Sequence, residues 1–533
     1  MHTCLNVDEI IRLVASELVA SKAKATAVAL ACCHKNFEEP VLDTLWETQE
    51  RILPLLRSLP RDVWVTGKHV CVPTIFVLSS FNSFIPKYLK RPPTVSEWAR
   101  FRKYARRMRQ LRERVTLNFP PPFVSSNQRL YAIDEPLFQN LRTLELQSIT
   151  GEDIPVIPSF LSPRITTISI TFQVGSSLSA AIVAPMITAF LTLCPNLQDL
   201  SLCALPRDPT ITDAVSAMLL AINHDTLQSF QVDSPLTEVA RESIYKNPGL
   251  RGLSVVVERD ILLPTMVLPN LTDLIIQRDY DSDWSRMFHG ATLEKLKTVT
   301  LFFESYQAGG LLETFERVAL ATSIQNTLSK FQLYTSSLWN PNYHSLLPFT
   351  QLTHLIIVFF CDLHCSSTVD DDVIISLARA MPKLETLQLG HDPCGETPTG
   401  ATVKGLVALA HHCQDLSTLR VHFQVDSFAI PPAVARDTSD TGPTDPPGDC
   451  ALRILEVGSI PMPEEWVSFV ALTLAYIFPR LETIHYIDEE WGNVMGAISL
   501  SRQIINHSSK EPPPPPRSNS NDTSPGTALN IGS

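Results

Sequence analysis

The residues best suited by type to hold a metal ion form one short cluster. Cys361, His364 and Cys365 are followed by His391 and Cys394, and thiolate and imidazole groups are the ligands that zinc prefers. The Cys-x-x-His-Cys arrangement lacks a paired Cys-x-x-Cys at zinc-ribbon spacing, and Cys361 directly follows a predicted buried strand. We therefore interpret these side chains as loop and core residues, and predict neither a metal nor another cofactor.

The sequence contains no motif of a familiar catalytic site. It has no Gly-x-Ser-x-Gly nucleophile elbow, no Gly-x-x-x-x-Gly-Lys phosphate loop and no His-Glu-x-x-His zinc motif. Only 19 of the 533 residues are glycine, so few positions allow the backbone to wrap a phosphate group. We expect a protein that is not an enzyme, and a hydrolase with a hidden site is the weakest alternative.

The strongest pattern in the chain is a recurring apolar triplet with the spacing Leu-x-x-Leu-x-Leu. It first occurs as Leu141, Leu144 and Leu146, and its thirteen copies have a mean period of about 28 residues. The copies begin at Leu141, Ile165, Leu197, Leu227, Leu250, Leu271, Leu296, Leu328, Leu352, Leu384, Leu416, Leu452 and Leu481.

The triplets and the segments between them predict the architecture. The last two apolar positions of a triplet point to the same side of a strand, and a single strand cannot bury that side, so the copies must stack. Helical spacing occurs between triplets at Val373–Met381, Val403–Ala410 and Trp466–Phe478. The alternation predicts an α/β solenoid, curved as a horseshoe, with a parallel sheet on its concave face.

The chain resembles leucine-rich-repeat proteins over roughly residues 130 to 490. That family usually places Asn or Cys eight residues after the first leucine, where the side chain bonds the backbone of a turn. Here these positions hold other residues, such as Ile149, Leu205 and Pro235, and the spacing of the copies varies from 21 to 36 residues. We therefore expect an irregular solenoid. An unrelated α/β domain with chance triplets is the alternative.

Composition and charge exclude several classes of partner. Lys and Arg total 43 against 55 Asp and Glu, a net charge of −12, which argues against nucleic-acid binding. The most apolar stretch, Ala180–Cys194, is interrupted by Pro185 and is shorter than the ~20 residues of a membrane helix. Residues 1–10 include two acidic side chains and no signal-peptide core, and the eleven cysteines form no disulfide framework. We expect a cytoplasmic or nuclear protein with no nucleic-acid or membrane partner.

The first fifty residues have helical rather than repeat spacing. Val7, Ile10, Ile11, Val14 and Leu18 form one apolar stripe. A second group follows a break at residues 21–24 and comprises Val28, Leu30, Ala31, Phe37, Leu42, Leu45 and Trp46. The spacing predicts two or three short helices, whose core is so small that a partner or the solenoid must cover it.

These residues resemble the F-box. The opening of that motif is matched by Leu5, Glu9, Ile10 and Ile11, its spacing by Val14 and Leu18, its middle by Leu30–Phe37, and its end by Leu45 and Trp46. Asn6 and Val7 stand where Pro is usual. The segment from Leu42 to Trp64 looks like F-box/leucine-rich-repeat proteins common in basidiomycete fungi. A helical cap on the solenoid is the alternative.

The resemblance implies an adaptor. F-box proteins dock onto the Skp adaptor, and through it the cullin, of a Skp/cullin/F-box ubiquitin ligase, while their repeats hold a protein substrate. The implied adaptor-binding residues are Leu5, Val7, Ile10, Ile11, Val14, Leu18, Leu30 and Trp46. A leucine-rich-repeat scaffold without a link to a ligase is the second hypothesis.

The outward-facing strand positions predict the substrate surface. They are polar in the first repeats, as at Thr143, Glu145 and Asp199, and apolar in the middle repeats. A contiguous apolar surface with a polar rim is typical of an interaction site. The predicted substrate-binding residues are Val256, Ile275, Phe302, Gln332, His354, Ile356, Val358 and Gln388. The alternative is that a loop or the tail covers these strands.

The remaining segments complete the predicted organisation. The units are a helical module at 1–50, a helical connector and cap at 51–130, repeats at 131–505 with a disordered insertion at 431–449, and a disordered Pro-rich tail at 506–533. Eight basic residues occur between Arg100 and Arg114. Apolar residues at helical spacing from Trp98 to Val115 favour a helix whose basic side is solvated, with phosphate contact as the alternative.

Overall fold

The structure, a computed structural model, describes residues 7–66, 86–89, 93–113, 136–175, 178–222, 224–257, 266–278, 291, 293–303, 322–335, 343–360, 369–391, 401–421, 423–425, 428, 450–458, 460, 462–486 and 489–508. The predicted insertion at 431–449 lies outside these ranges, as does the predicted tail from residue 509 onward. Residues 506–508 belong to the end of a helix.

Within these ranges, fifteen strands form one open sheet, in which each strand pairs in parallel with its neighbours in the order of the chain. Strands β2 and β3 form an antiparallel pair. The strands are β1 (Thr48–Gln49), β2 (Trp64–Thr66), β3 (Pro86–Leu89), β4 (Gln110–Glu113), β5 (Thr143–Ile149), β6 (Thr167–Phe172), β7 (Asp199–Cys203), β8 (Ser229–Pro235), β9 (Gly252–Val257), β10 (Asp273–Arg278), β11 (Thr298–Phe303), β12 (Lys330–Thr335), β13 (His354–Phe359), β14 (Thr386–His391), β15 (Thr418–Val421), β16 (Ile454–Gly458) and β17 (Thr483–Tyr486).

Helices precede the sheet and connect many of its strands. They are α1 (Asp8–Ala20), α2 (Lys24–Cys33), α3 (Lys35–Glu47), α4 (Leu53–Leu56), α5 (Val95–Ala105), α6 (Ala180–Leu193), α7 (Pro209–Ala221), α8 (Glu238–Ile244), α9 (Thr322–Gln325), α10 (Asp371–Ala380), α11 (Val403–His412), α12 (Val467–Ile477) and α13 (Glu490–Ser508). Short 3-10 turns occur at Arg61–Val63, Ile154–Phe160, Tyr343–Leu346 and Glu464–Trp466. The helices predicted near 373, 403 and 466 are therefore present, and Asp370 caps α10 by accepting a hydrogen bond from the Val373 amide at 2.9 Å.

Each of the thirteen triplets lies at one of the strands β5–β17. The first residue lies two positions before the start of the strand, and the second and third are buried on its inner face from Leu144 and Leu146 onward. The exception is Tyr486 on β17, whose side chain is exposed. That strand has a neighbour on one side only, so the stack leaves its last residue uncovered. The alternation of buried and outward residues is the one expected of a strand.

A repeated backbone hydrogen-bond pattern joins neighbouring repeats where the strands begin. One carbonyl accepts two amides of the next repeat: Arg251 O accepts from Thr272 N at 2.7 Å and from Asp273 N at 3.0 Å. The same pair of bonds recurs along the chain from Arg109 O to Arg453 O. Because buried backbone groups must be paired, this ladder fixes the register of every repeat on the one before it.

Side-chain amides add hydrogen bonds to this ladder. They belong to the residue just before the first leucine of a triplet. Asn140, Asn196 and Asn270 donate to backbone carbonyls of the preceding repeat at 2.6, 3.0 and 2.9 Å. The side chains of Arg164 and Lys295 in turn donate to Asn140 and Asn270 at 2.6 and 2.7 Å. Leucine-rich-repeat proteins usually have Asn or Cys eight residues after the first leucine of the triplet, whereas in this chain the amide side chains lie one residue before that leucine.

Two sequence predictions differ from the structure in the region before residue 131. The sheet starts earlier than predicted, because β1 and β4 pair with each other and β4 pairs with β5. The helix predicted from Trp98 toward Val115 ends at Ala105. Leu111 is buried as expected, but on β4, where pairing with β5 overrides the helical spacing. Val115 lies outside the described residues.

Leucines inside central strands are expected to hold the fold together. Leu274 and Leu387 are fully buried, so Leu274→Ala or Leu387→Ala is expected to lower the free energy of unfolding by about 2–5 kcal/mol, through lost burial and the cavity left behind. Thr386→Ala, at an outward position beside Leu387, is the matched control. Urea unfolding and protease resistance measure the effect, and an unchanged stability would show that the assigned register is wrong.

Candidate functional site

The N-terminal helices α1–α3 form a module with its own core. Ile11, Ala15, Ala27, Phe37 and Val41 are buried together, and this cluster is separate from the continuous core of the solenoid. Partly buried Leu18, Leu30 and Leu45 pack against it. The sequence indicated too little apolar material for an independent core, and the cluster is indeed small. We call residues 8–47 the helical module.

One side of the helical module presents apolar side chains to solvent. Val7, directly before α1, and Ile10 and Val14 on α1 follow each other at helical spacing and are exposed, and Leu13 beside them is 70% exposed. Val28 on α2 is exposed as well. We call Val7, Ile10, Leu13 and Val14 the α1 stripe. Exposed apolar side chains that are contiguous on a helix are typical of an interaction site.

The structure separates the predicted adaptor-binding residues into three groups. Val7, Ile10 and Val14 are exposed, whereas Ile11, Leu18 and Leu30 belong to the core of the module or its edge. Trp46 packs against the solenoid core, with its ring 4.9 Å from that of Tyr104. Leu5 lies outside the described residues. Sequence reasoning missed Leu13, although its position three residues after Ile10 is a usable signal.

Ion pairs join the helical module to the start of the solenoid. Arg107, directly after α5, donates hydrogen bonds to Glu39 and Asp43 of α3, and Arg12 of α1 reaches Asp43 at 2.8 Å. Lys103 of α5 lies 3.6 Å from Glu39. We call these five residues the α3–α5 clasp.

The clasp changes the interpretation of the basic segment between Arg100 and Arg114. We predicted a solvated helix side, but Lys103 and Arg107 face α3, and Arg109 pairs with Glu47 at 3.1 Å. The Arg107 side chain is only 10% exposed, so the acidic side of α3 takes up much of the positive charge. The sequence could have indicated this, because Glu38, Glu39, Asp43 and Glu47 recur at helical spacing.

The clasp also perturbs a carboxyl group. The hydrogen bond from Arg107 holds the pKa of Glu39 below its ordinary value of 4.5, and the positive charges of Arg107 and Lys103 add to this effect. A carboxyl with a lowered pKa stabilises the folded arrangement above its ordinary pKa, and this contribution is lost as the pH falls through the lowered value.

The sheet brings most of the predicted substrate-binding residues into two adjacent rows across β9–β14. In one row Ile275, Thr300, Gln332, Ile356 and Gln388 are partners in register. The next row follows two residues later along each strand and contains Val256, Gln277, Phe302, Tyr334 and Val358. His354 lies one row before Ile356, opposite Lys330.

Three aromatic rings stack on this face. The rings of Phe302 and Tyr334 are 4.9 Å apart with planes 11° from parallel, and Tyr334 is 6.3 Å from Phe360 with planes 15° apart. Phe302 and Tyr334 are partly exposed and Phe360 is 48% exposed. We call these three residues the ring stack. Tyr334 was not among the predicted substrate-binding residues, although it occupies the same repeat position as Phe302, six residues after the first leucine of its triplet.

Two predicted substrate-binding residues are not exposed. Val256 is 1% and Val358 is 5% exposed, against the expectation that outward strand positions face solvent. Alternation assigns a side chain to one face of the sheet, but it carries no information about what lies over that face near the end of a strand. Ile275, Phe302 and Ile356 remain partly exposed, so the accessible apolar surface is smaller than predicted.

Polar groups border the ring stack. Thr300 donates a hydrogen bond from its hydroxyl to the Gln332 side chain at 3.1 Å. Burial lowers the pKa of His354, and the positive charge of Lys330 lowers it further. Toward the start of the sheet the same face is polar, as predicted: Thr167 donates to Asp199 at 2.9 Å and Ser201 donates to Gln231 at 3.2 Å.

Two other expectations fall only partly within the described residues. Cys361, His364, Cys365 and Cys394 lie outside them, and of His391 only the strand position is described. Within the described ranges, no group of three or more His, Cys, Asp or Glu residues is arranged to hold a metal ion. Among the helices of those ranges, none is both long and apolar enough to cross a membrane. The cysteines in those ranges, for example Cys194 and Cys413, form no disulfide bond.

Comparison with known proteins adds little to this description. No protein-family model matches the sequence, and no curated protein matches it. Among solved structures, the leucine-rich repeat-containing protein LegL7 from Legionella pneumophila is similar over 71% of this chain and 94% of its own, with 13% sequence identity and a TM-score of 0.26. A TM-score this low carries no argument. The assignment of a leucine-rich-repeat solenoid depends on the thirteen triplets and on the parallel sheet that they form.

The clasp leads to a prediction about the attachment of the helical module. Arg107→Ala is expected to speed hydrogen exchange in α1–α3 at neutral pH by about tenfold, because Glu39 and Asp43 each lose the more buried of their two cationic partners. Arg100→Ala, at an exposed position on α5, is the control. The unmodified chain is expected to lose the same protection as the pH falls below 4.5, the ordinary pKa of Glu39. Equal protection in both variants would show that the clasp does not hold the module.

Proposed function

We propose that this protein is a substrate-recognition adaptor of a Skp/cullin/F-box ubiquitin ligase. In this proposal the helical module docks onto the Skp adaptor, and the concave face of the repeats holds a protein substrate. The chain catalyses nothing itself. The observation that carries the proposal is the α1 stripe, an exposed apolar surface on a small module that already has a core of its own.

The α1 stripe supports docking because its side chains are not needed for folding. Ile11 and Ala15 fill the interior of the module, while Ile10, Leu13 and Val14 on the same helix remain outside. Exposing them to water costs free energy that a partner recovers by covering them. The clasp uses the carboxylates of Glu39 and Asp43 on α3, and the side chains of the α1 stripe remain exposed.

The fold supports the second half of the proposal. A parallel solenoid sheet offers a long continuous face, and the ring stack places aromatic side chains with a polar rim on it. Aromatic residues are the ones that most often dominate the binding energy of protein interfaces. The second hypothesis, a repeat scaffold without a ligase, shares this surface and differs only in the partner of the helical module.

Adaptor docking is tested on the α1 stripe. Ile10→Asp combined with Val14→Asp is expected to weaken binding to the Skp adaptor by at least about tenfold, since charges enter an apolar contact. Leu472→Asp is the matched control, because Leu472 is 59% exposed on α12, in the solenoid. Calorimetric titration of the purified chain measures the affinity. If the double variant binds as well as the control, the F-box assignment is wrong and the scaffold hypothesis stands.

The substrate surface is tested on the concave face. Phe302→Asp and Ile356→Asp are expected to abolish capture of proteins through the repeats with little change in thermal stability, since both side chains are partly exposed. Ser201→Asp, on the polar part of the same face, serves as the control. A fall in stability of several kcal/mol would instead show that Phe302 and Ile356 belong to the core.

A further inference from the structure

The three strands that carry the ring stack have a charge of one sign. Strands β11, β12 and β13 contain no Asp or Glu, and their ionisable side chains besides Tyr334 are Lys330 and His354. These two residues are partners in register on β12 and β13. A further positive side chain, that of Lys297 in the turn just before β11, is exposed. In a chain with a net charge of −12, this is a local excess of positive charge.

The turn before β11 also holds Glu294, and two other carboxylates lie to the sides of this group. Asp273 begins β10 and Glu385 directly precedes β14, so each belongs to a repeat that flanks the three strands. Within the described part of the chain, Lys330 makes no salt bridge, and its side chain is exposed. An exposed ammonium group without a carboxylate partner is available to a ligand, and it pays little desolvation when it pairs at the rim of an interface.

The positive group and the ring stack lie on one face at a fixed separation. Lys330, Gln332 and Tyr334 alternate along β12 with buried Phe331 and Leu333, so all three point to the concave side. Four residues of strand separate Lys330 from Tyr334, which is roughly 13 Å. Along this line the concave face therefore offers a cation, an amide and an aromatic ring.

We propose that this surface recognises an extended protein segment in which an acidic side chain and a large apolar side chain lie about four residues apart. The carboxylate pairs with Lys330 beside His354, the Gln332 amide bonds the backbone of the segment, and the apolar side chain packs on the ring stack. This inference rests on the proposed role of the repeats as the substrate surface, and it adds the chemical class of the segment.

Selection from a random library of 12-residue peptides, displayed on phage and presented to the full chain, tests the class directly. The expected result is enrichment of peptides in which Asp or Glu lies three to five residues from Trp, Phe, Leu or Ile. A synthetic copy of an enriched peptide is then titrated by fluorescence anisotropy. Lys330→Glu is expected to weaken it about tenfold, since attraction becomes repulsion. Lys404→Glu, an exposed charge reversal on α11, is the control and is expected to leave the affinity unchanged.

Three results would overturn the inference: no enriched peptide, enriched peptides that are basic or lack the paired spacing, or an affinity that Lys330→Glu leaves unchanged. Binding to the Skp adaptor is measured on the same preparations. If the protein binds the peptide but does not bind the Skp adaptor, the ligase role is refuted and the proposed class of peptide is retained. Normal adaptor binding together with any of the three results refutes the peptide class alone.

Discussion

The whole solenoid depends on one backbone contact that each repeat makes with the next. A carbonyl at the turn before one strand accepts the two amides that open the following strand, and this occurs from Arg109 to Arg453. The contact fixes register, because sliding a strand by one residue would leave these groups unpaired and turn its leucines outward. Since register is fixed, residues six positions after the first leucine fall into one row. The ring stack is a consequence of that row, in which Phe302 and Tyr334 are partners.

The helical module and the solenoid are joined by interactions of a different kind from those that join the repeats to one another. Inside the solenoid, apolar side chains join every repeat to its neighbours in one continuous core, whereas the cluster in α1–α3 is separate from it. The Trp46–Tyr104 contact and the α3–α5 clasp bridge the two. Ion pairs that are partly exposed contribute little to stability but depend strongly on geometry and salt. The clasp therefore makes a modest, salt-dependent contribution to holding the module against the solenoid, and it sets the direction in which the α1 stripe faces.

The sequence was sufficient to predict the fold because the spacing of its apolar residues shows which side of each strand must be buried. A triplet repeated thirteen times can satisfy its leucines only by stacking, and each copy lies at a strand. The sequence was misleading where the helical spacing of a segment competes with strand pairing to a distant segment. Leu111 fits the apolar stripe of a helix, but it pairs with Leu144 in the sheet. For the candidate surfaces, helical spacing found Ile10 and Val14, but it could not tell them from Ile11, which is buried. Whether a residue at the edge of a helical stripe is buried depends on the positions of the neighbouring helices. The residue pattern of a single helix does not contain that information.

The row that contains the ring stack is bounded on both sides, and this limits what it can recognise. On β10 the row holds the polar Gln277, and on β14 it holds Gly390, whose φ of +126° lies in a region that favours glycine. A residue with a side chain is disfavoured there, so the aromatic row cannot extend onto β14. Three strands at a spacing of about 4.8 Å span only ~10 Å between the outer two. A surface of this width accommodates one or two side chains of a partner, so selectivity must come from what lies along the strands: the polar row of Gln332 and, beyond it, the cation of Lys330 with the imidazole of His354 beside it.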